Sequence, residues 1–597
     1  MKLSYKTYRE KLNACYVGKT VGGTLGIPRE GHLDVLPIDY YDPIPTEMLP
    51  NDDLDLQVSN LQIVMQHGLP VCRYHLGDTW RYYNRCSLPD EYGIARANYE
   101  KLLRAPLSGI YNNHFHGGMG SAIRSELWAC LAPGDPDLAV RLAIEDACVD
   151  HYDDGILSAI FLAAIESAAF TESDVRKLIE IALSYLPADH RMTRAFCCTV
   201  DAWDKTHDPL YVRKTVLENY PSENWTDVTI NLSFILTALL AAEGSFDRAI
   251  CTAAELGYDA DCTCATVGAL FAIICPDSID RRWTDPIGDE LLLSGNMTNM
   301  QSPENIGAFC DRVDYVARQV IKYYGSETEL IDIPEDAPVF KMAPPHTEYY
   351  ELLAYEPSEE KASLLTLSPL AATLVYPDEV AYAYDGREYR MTLRLTNTDN
   401  IRKSGTVIIR TAEGTVAAPD RFDIKLEKGE SCELSFRIEK RESAARVSVN
   451  LLLLDFCLNG IKASVEAGFP DARRFTVEDL DSGKIYTHEA TESAFKVPAG
   501  RYRYSIVLKP AVSRPMRLSV NGKASVTVFQ NGTEVHHRDA DGPYVPALHR
   551  GGRVDLNITR GCHRFDFVYD NSEARESYLD FGTPFGCGEW ITTNEYK

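Results

Sequence analysis

The sequence lacks any apolar run of about 18 or more residues, so it predicts no membrane-spanning helix. The N-terminal segment MKLSYKTY also lacks the apolar core of a signal peptide. Basic residues are scarce, with Lys+Arg at 60 against Asp+Glu at 87 and a formal net charge of −27. This charge argues against binding to nucleic acid or to an anionic membrane surface. We expect neither partner, and we expect a cytoplasmic location.

Paired cysteine motifs of the zinc-binding type are missing, although the chain has 16 cysteines. Twelve of them fall within the first 310 residues, mostly in apolar helical patterns, which is typical of buried cysteines in a reducing compartment. Cys262 and Cys264 come nearest to a zinc motif, but no second pair lies at a suitable spacing. The cysteines therefore indicate a cytoplasmic protein.

The 597-residue chain is too long for one hydrophobic core, and its composition changes near residue 330. Apolar residues recur at helical spacing through 1–328, which predicts an all-α domain. Prolines mark a linker over 329–364. Short alternating runs then predict an immunoglobulin- or fibronectin-like sandwich over 365–472 and a jelly-roll or carbohydrate-binding-like sandwich over 473–597. The predicted fold class is multidomain, with one all-α domain followed by two all-β sandwich domains.

Two acidic segments stand at the predicted starts of apolar helices. One is Asn51-Asp52-Asp53, and the other is Asp259-Ala260-Asp261. A buried carboxylate without a partner is costly, so we expect a cation to compensate these groups. Oxygen ligands suit a hard ion such as Mg²⁺, Mn²⁺ or Ca²⁺. Helix capping by Asp259 or Asp261 is the alternative that the pattern alone leaves open.

Two further segments carry candidate contact residues. Residues 114–124, HFHGGMGSAIR, place Gly118, Gly120 and Ser121 ahead of a helix, where backbone amides can approach an anion or a sugar. His151 lies among four acids over 146–154. A ligand role, a substrate contact and an ion pair at a helix end are all open for this histidine.

Taken together, these segments resemble the motifs of the ADP-ribosylglycohydrolases in order and spacing over residues 1–325. The matching segments are Gly22-Gly23-Thr24-Leu25-Gly26 with Glu30, Asn51-Asp52-Asp53, the loop 118–124, Asp150-His151 and Asp259-Ala260-Asp261-Cys262-Thr263. They resemble the family's glycine motif with its glutamate, its first metal motif, its substrate loop, its loop histidine and its second metal motif. The resemblance implies an all-helical hydrolase that uses paired magnesium ions to release ADP-ribose from an acceptor.

The resemblance also implies a role for each residue. Those expected to hold one or two metal ions are Asn51, Asp52, Asp53, Asp259, Asp261 and Thr263. Those expected to act in catalysis are Glu30, Asp52, Asp53 and Asp261. Those expected to bind substrate are Gly118, Gly120, Ser121 and His151. Glu30 is the candidate acid–base or gating group. Asp55 is a second candidate, but it could instead be a solvent-exposed residue one turn into a helix, without a catalytic role.

Three positions depart from the family's motifs. Asn51 stands where a threonine is usual, Cys262 stands where the second motif has its threonine, and Gly23 stands where an aspartate is usual. A thiol is a poor ligand for Mg²⁺. Thr263 is one position later, about 100° further around the helix. The pattern therefore leaves open whether one or two ions bind.

The function that this pattern favours is metal-dependent hydrolysis of a glycosidic bond, in an ADP-ribosylated or related furanosyl substrate. A phosphate-bearing substrate predicts free amides or a cation such as Arg124 at the loop. The alternative substrate is a neutral sugar, which predicts aromatic side chains lining the site. Each candidate aromatic residue could instead be a core residue. The candidates are Trp80, Tyr82, Tyr83, Tyr111 and Trp128. A degenerate fold that binds a sugar or ADP-ribose without turnover is a further alternative.

The role of the two sandwiches is open from the sequence. Sugar binding, a lid over the site, and a dimerisation surface that would make the protein a homo-oligomer are the three expectations. Tyr544, His549, Arg550 and Trp590 in the last sandwich are interpreted as packing or surface residues.

Overall fold

A computed structural model of the protein describes residues 1–85, 90–222, 224–346, 350–441, 447–510, 513–540, 542 and 553–582. Tyr544, His549, Arg550 and Trp590 lie outside these ranges, so their interpretation stays a prediction. Within the described ranges, no helix combines the length and the apolar character that crossing a bilayer requires.

The N-terminal half of the chain forms helices, as its periodicity predicts. The α-helices of the described residues are α1 (Tyr5–Gly26), α2 (Asp52–His67), α3 (Arg73–Tyr83), α4 (Glu91–Glu100), α5 (Leu107–Ile110), α6 (Ser125–Leu131), α7 (Pro136–Ala147), α8 (Asp154–Ala168), α9 (Val175–Leu183), α10 (Arg191–Thr206), α11 (Pro209–Asn219), α12 (Val228–Ala241), α13 (Phe246–Leu256), α14 (Ala260–Ile274), α15 (Arg281–Thr284) and α16 (Ile306–Tyr324). Helical spacing in the sequence predicts helices over 119–131 and 135–152, but in the structure 119–124 and 148–152 are not α-helical. The short helices α5 and α15 were not predicted.

The small residues of α1 predict a close helix contact, and α14 makes it. A Cβ atom on Gly22 would lie 2.0 Å from the Cys264 carbonyl oxygen, and one on Gly26 would lie 2.2 Å from the Ala260 carbonyl oxygen. Both distances are far inside van der Waals contact, so only glycine lets the two backbones approach this closely. This contact sets the start of α14 beside the end of α1.

The C-terminal half forms strands, again as predicted. The strands of the described residues are β1 (Lys2–Ser4), β2 (Glu329–Ile331), β3 (Ala362–Thr366), β4 (Ala371–Val375), β5 (Tyr389–Thr396), β6 (Lys403–Thr411), β7 (Thr415–Ala418), β8 (Arg421–Leu426), β9 (Ser431–Lys440), β10 (Asn450–Leu458), β11 (Ile461–Phe469), β12 (Arg473–Asp479), β13 (Ile485–Ala490), β14 (Ala494–Val497), β15 (Gly500–Leu508), β16 (Arg514–Gly522), β17 (Val526–Gln530), β18 (Thr533–Arg538), β19 (Arg553–Ile558), β20 (His563–Asn571) and β21 (Arg575–Gly582). The parallel pair β1–β2 joins the two ends of the helical region, where the sequence predicts almost no strand.

The remaining strands form four antiparallel sheets. Those between 362 and 469 have the orders β11-β10-β6-β8 and β3-β4-β5-β9-β7, and both sheets contribute to one core that includes Leu393 and Leu452. Those between 473 and 582 have the orders β13-β12-β15-β20-β17-β18 and β14-β21-β16-β19, around a second core. The Asn531-Gly532 pair is typical of a hairpin turn, and the structure confirms one there, since both residues have positive φ, 51° and 83°, between β17 and β18.

Contacts divide the chain into two compact units. The first consists of Met1–Arg85, His116–Thr347 and Ala354–Pro357, and the second of Cys86–Phe115, Glu348–Leu353 and Ser358–Lys597. Helices α4 and α5 therefore group with the strands, and within that unit Leu103 and Leu107 are buried in the core of the first sandwich. The domain boundaries predicted at 328, 364 and 472 stay predictions.

Candidate functional site

The first acidic segment opens α2. Asn51 occupies the N-cap position with an extended backbone, but its side chain makes no capping hydrogen bond. Its amide nitrogen lies 3.4 Å from Asp53 Oδ2 instead. Asp53 is fully buried, and Asp52 is half-buried. Asn51 and Asp53 thus face each other rather than the N–H groups of their own helix.

The second acidic segment opens α14. Asp259 is the N-cap residue and also makes no capping hydrogen bond. Asp261 is 5% exposed, and among the described atoms none donates a hydrogen bond to its Oδ1. The capping bond that was the alternative is therefore not what the structure shows. A buried carboxylate oxygen without a donor is costly, which suits this atom to a cation.

A tight turn brings Glu30 to the start of α14. Gly257 and Tyr258 have positive φ, 72° and 66°, which is uncommon for a residue other than glycine. The Tyr258 N–H donates to the His32 carbonyl at 2.7 Å, and the Gly31 N–H donates to the Tyr258 carbonyl at 2.9 Å. These two bonds fix the loop that carries Glu30 against the turn that precedes Asp259.

The two acidic segments converge on one pocket. Ligand atoms of Asp53, Asp261 and Cys262 lie within 4.8 Å of one another. Burial, together with the charges of Glu30 and Asp52, raises the pKa of Asp261 to about 7. Glu30 is an exposed residue, but partial burial of its carboxyl group and the charges of Asp52 and Asp53 raise its pKa to about 7 as well. The structure therefore brings Asp53 and Asp261 together, although they lie far apart in the sequence.

The pocket fits a divalent cation. Burial and the charges of Asp261 and Glu30 raise the pKa of Asp259 well above its usual range. Such shifts arise first because burial disfavours the charged form, and second because neighbouring carboxylates repel when no cation lies between them. Oxygen donors of this kind and number suit Mg²⁺, Mn²⁺ or Ca²⁺. Which ion binds, and whether one or two bind, stays a prediction.

Sulfur occupies the third position of the second motif. Cys262 is 6% exposed, and its Sγ belongs to the group formed with Asp53 and Asp261. Thr263 Oγ1 instead donates to the Ala260 carbonyl at 3.3 Å, within its own helix. Burial raises the pKa of the Cys262 thiol well above its usual range. Metal binding by Thr263 stays a prediction, and its hydrogen bond gives that prediction no support.

A buried lysine that sequence reasoning missed lies behind Asp53. Lys19 is 2% exposed, and its Nζ lies 3.2 Å from Asp53 Oδ1 and 2.8 Å from Glu126 Oε1. Gln57 Nε2 donates to the other Glu126 oxygen at 2.8 Å, and the Tyr16 hydroxyl donates to Gln57 Oε1 at 3.1 Å. Burial alone would lower the pKa of Lys19, but the two carboxylates raise it. An ammonium group therefore fixes one oxygen of Asp53.

Asp55, the second acid–base candidate, has a clear structural partner. It is 1% exposed, and both of its oxygens accept from the Ser294 N–H, at 3.0 and 3.3 Å. Burial raises its pKa to about 7. The alternative of a solvated helix residue is wrong, because the carboxylate lies inside the protein and fixes the chain at Ser294.

The glycine-rich loop is buried around its predicted contact residues. Gly118, Gly120 and Ser121 are all buried. Ser121 Oγ donates to the Gly155 carbonyl at 2.7 Å, and the Ser121 N–H donates to His151 Nε2 at 3.2 Å. Substrate contact by this loop stays a prediction.

His151 lies within a network of internal bonds. It is fully buried, and its Nδ1 lies 2.7 Å from Asp150 Oδ1 while its Nε2 accepts from Ser121. Both ring nitrogens therefore have partners inside the protein. This geometry favours a role in positioning the loop, and the predicted contact with substrate stays a prediction.

Arg124, the predicted phosphate contact, is 2% exposed. Its Nη1 and Nη2 donate to the two oxygens of Asp150 at 2.9 and 2.7 Å, and its Nε donates to Asp146 Oδ2 at 2.8 Å. Although burial opposes it, the charges of Arg124 and His151 lower the pKa of Asp150 to about 2. The guanidinium is thus part of an internal ion-pair network.

Most of the predicted aromatic walls are core residues. Trp80, Tyr83, Tyr111 and Trp128 are buried, so the core interpretation is confirmed for these four, whereas Tyr82 is 59% exposed. Sequence reasoning missed a different aromatic residue, the half-buried Trp225.

Trp225 lies next to the loop that carries Glu30. A Cβ atom placed on Gly31 would lie 3.8 Å from its ring. Its carbonyl accepts from Asn231 Nδ2 at 2.9 Å, and Asn231 Oδ1 in turn accepts from the Asp259 N–H at 3.1 Å. Trp225 is therefore fixed relative to the start of α14.

Comparison with known protein families identifies the helical region. The family model for ADP-ribosylglycohydrolase matches residues 4–313, which is more than half of the 597 residues. The chain belongs to this family, as the resemblance of its motifs predicts. Membership supports a hydrolase of this superfamily.

No curated protein matches the chain. Among solved structures, one titled ADP-ribosylglycohydrolase-related protein complex has 17% identity and a TM-score of 0.38, over 53% of this chain and 99% of that one. An anti-sigma factor domain-containing protein from Clostridium clariflavum has 10% identity and a TM-score of 0.17, over 36% of this chain and 88% of that one. An α-L-rhamnosidase from Streptomyces avermitilis, complexed with L-rhamnose, has 15% identity and a TM-score of 0.13, over 33% of this chain and 21% of that one. These likenesses are too low to support an argument about function.

Proposed function

We propose that the protein is a metal-dependent hydrolase that cleaves a glycosidic bond. The observation that carries the proposal is the convergence of carboxylates from the starts of α2 and α14 on one pocket, where Asp261 Oδ1 is buried without a donor among the described atoms. Family membership supports the same reaction class. The substrates in question are ADP-ribosylated molecules or related furanosyl glycosides.

The residues of the pocket divide into three roles. Those that would hold Mg²⁺, or Mn²⁺ or Ca²⁺ in its place, are Asp52, Asp53, Asp259 and Asp261, with Asn51 and Thr263 as further ligand candidates. A bound ion of this kind orients sugar hydroxyls and polarises water. Glu30, at the exposed edge of the pocket, would move a proton to or from the glycosidic oxygen or water. Lys19 would hold the Asp53 carboxylate in one orientation.

Two further features of the prediction stay proposals. All fourteen cysteines among the described residues are unpaired, which supports a cytoplasmic location. A homo-oligomer formed through the sandwich domains rests on the sequence alone.

The test is turnover of a panel that contains an ADP-ribosylated protein and aryl glycosides, before and after the metal is removed with EDTA. We expect activity on one substrate class, its loss with EDTA and its return with Mg²⁺. Asp52→Asn and Asp261→Asn should each lower kcat/KM at least about 100-fold, because both remove a metal ligand. Asp189→Asn, at an exposed position of the same helical unit, is the control. Wild-type rates in both site variants would refute the assignment.

Ligand binding without turnover is the second candidate function, and Cys262 favours it. A protonated thiol stands where the motif has an oxygen ligand, which weakens a site for a hard ion. Cys262→Thr should therefore raise Mg²⁺ affinity about tenfold in calorimetry, whereas Cys264→Ser, a neighbouring buried thiol, should not change it. A wild-type protein that binds ADP-ribose or a sugar but neither binds Mg²⁺ nor turns over the panel would establish the binding function.

A further inference from the structure

The first of the two compact units has a cavity of about 620 Å³ that the proposed function does not use. Its walls come mainly from the second half of α2, from α16, and from the chain segments 299–301 and 340–344. On α2, the lining begins at Gln62, which lies about 15 Å further along the helix than Asp52. The cavity is therefore separate from the pocket that the two acidic segments form.

Main-chain hydrogen bonds hold the walls of this cavity together. The Ala343 N–H donates to the Met65 carbonyl at 2.8 Å, which fixes the segment 340–344 against α2. The Thr298 N–H donates to the Tyr83 carbonyl at 2.8 Å, which fixes the chain just before the other segment against the end of α3. The cavity is therefore preformed, as sites for small molecules usually are.

Two basic side chains, Arg312 and Lys341, line this cavity, and none of the described residues that line it is acidic. Within the described part of the chain, neither of these two side chains has an ion pair or a hydrogen bond. The acid next to Arg312 in the sequence, Asp311, is paired with Arg9 at 2.5 Å. The chain as a whole has a formal net charge of −27, so this cavity is a local departure that favours an anionic ligand.

The rest of the lining suits a ligand larger than a bare anion. Met65, Met300, Phe340 and Met342 contribute apolar surface. A volume of about 620 Å³ lies within the range of sites for drug-sized molecules, and one phosphate or carboxylate group does not fill it. Methionine side chains are flexible and make favourable contacts with aromatic rings. The cavity therefore matches an anion that carries an aromatic body.

We infer that this cavity binds a small organic anion with an aromatic body. The half-buried Arg312 would hold its carboxylate or phosphate group with paired N–H donors, and the exposed Lys341 would add a second positive charge. The methionines and Phe340 would cover the aromatic body. This inference goes beyond the proposed hydrolase function and does not depend on it.

Calorimetry on the full-length protein with Mg²⁺ tests the preference for an anion. The probes are 1-naphthyl phosphate, 1-naphthoate and the neutral 1-naphthol, which share one aromatic body. We expect at least one anion to bind at least about tenfold tighter than 1-naphthol, and the tighter of the two identifies the head group. Equal affinities for all three probes, or no binding of either anion at about 1 mM, would overturn the inference.

A variant series tests the two cations. Arg312→Gln should weaken binding of the tighter anion about tenfold and Lys341→Gln about threefold, because the lysine is more exposed to solvent. Lys322→Gln, at an exposed position of α16 outside the lining, is the matched control. Asp261→Asn should also bind the probe as the wild type does, because the metal pocket is not its site. Wild-type affinity in both cavity variants, or lost affinity in Asp261→Asn, would contradict the proposed site.

A further measurement locates the probe in the unmodified protein. The chain has 10 methionines, and carbon-13 labelling of their methyl groups gives each one an NMR signal, which single Met→Leu substitutions assign. The tighter anion should shift the signals of Met65, Met300 and Met342, and should not shift that of Met192, which is buried in α10. Shifts confined to other methionines would place the probe elsewhere and show the inference to be wrong.

Discussion

The starts of the helices fall into two groups. At ten helices of the described residues, the N-cap side chain accepts a hydrogen bond from its own helix, as Ser4, Asp135 and Ser245 do. At α2 and α14, Asn51 and Asp259 are equally able to cap but accept no such bond. Asp153 at α8 is a third capping-type residue that accepts no such bond, and it lies 3.3 Å from His190 instead. The other three uncapped helices, α3, α5 and α6, begin after Cys72, Pro106 and Arg124, which are not of the usual capping types.

This difference shows that the same residue types serve two purposes in one domain. A capping bond stabilises a helix by about 1 kcal/mol, and α2 and α14 go without it. Their polar side chains gather in a pocket where burial and mutual repulsion are unfavourable. Positions at which a chain gives up stability in this way are typical of functional sites.

The largest change in stability is expected at Lys19, whose buried ammonium contacts the Asp53 carboxylate at the start of α2. Lys19→Met should lower the free energy of unfolding by about 3–5 kcal/mol, because it leaves Asp53 and Glu126 as unpaired buried charges. Chemical denaturation of the wild type and the variant measures this difference.

The control for that substitution lies on the same helix. Lys11→Met removes an ammonium that donates to the Ala169 carbonyl but has no carboxylate partner among the described residues, so its cost should be about 1 kcal/mol. Adding Glu126→Gln to Lys19→Met should recover part of the loss. If Lys19→Met and Lys11→Met lower the free energy of unfolding by the same amount, the proposed difference between the pocket and ordinary helix positions is wrong.

The next largest effect is a pH dependence of stability, which we expect from the carboxyl groups of the pocket and not from the capping residues of the other helices. Glu30 and Asp261 have ordinary pKa values of 4.5 and 3.8 and folded values of about 7. Because the folded values are raised, their contribution is fully present below about pH 4 and is lost as the pH rises through about 7. The metal-free protein should therefore lose stability between these pH values, on the order of 3 kcal/mol for Asp261.

Denaturation of the metal-free protein at about pH 4.5, near the ordinary pKa values, and at about pH 7.5, above the raised values, measures most of this loss. Saturating Mg²⁺ should remove most of the slope, since the ion favours the ionised carboxylates. Asp261→Asn should reduce the slope without metal. If the free energy of unfolding of the metal-free protein is the same at both pH values, the carboxylates of the pocket do not repel one another as proposed.

A smaller effect of opposite sign is expected from the same residue at constant pH. Asp261→Asn should raise the stability of the metal-free protein at pH 7.5 by about 1–2 kcal/mol, because it removes one charge from the pocket. The same variant should lose its stabilisation by Mg²⁺. Asp135→Asn, which changes a capping aspartate that also accepts from Ser326 and Glu327, should not stabilise the protein.

Local chemistry made much of this architecture predictable. Helix bounds and sandwich strands follow from apolar periodicity. Gly18, Gly22 and Gly26 on one face of α1 indicate that some element packs closely there, but the sequence does not indicate that this element is α14. The convergence of the two acidic segments was predictable because adjacent carboxylates ahead of apolar helices need a shared partner. The place of Glu30 beside them was implied by the resemblance to the family.

The rest depends on contacts between residues far apart in the chain. Lys19 has one signal, a single charge in an apolar, glycine-rich stretch, but its partner Glu126 lies 107 residues away. The pairing of His151 and Arg124 with Asp150, and the grouping of α4 and α5 with the strands, depend on tertiary packing in the same way. Which of Cys262 and Thr263 faces Asp53 is decided by the rotation of α14 against α1, and periodicity does not fix it.

The smallest predicted effect tests the comparison most directly, because it uses matched substitutions at helix starts. Ser245→Ala at α13 removes a capping bond to the Arg248 N–H and should cost about 1 kcal/mol. Asn51→Ala at α2 removes no capping bond and only the long 3.4 Å contact with Asp53, so it should cost about a few tenths of that in the metal-free protein. The pattern should invert for function, since Asn51→Ala is expected to weaken Mg²⁺ binding in calorimetry and Ser245→Ala is not. Equal stability costs at the two starts would mean that Asn51 caps α2 in solution, and the argument that α2 gives up capping for the pocket would then be wrong.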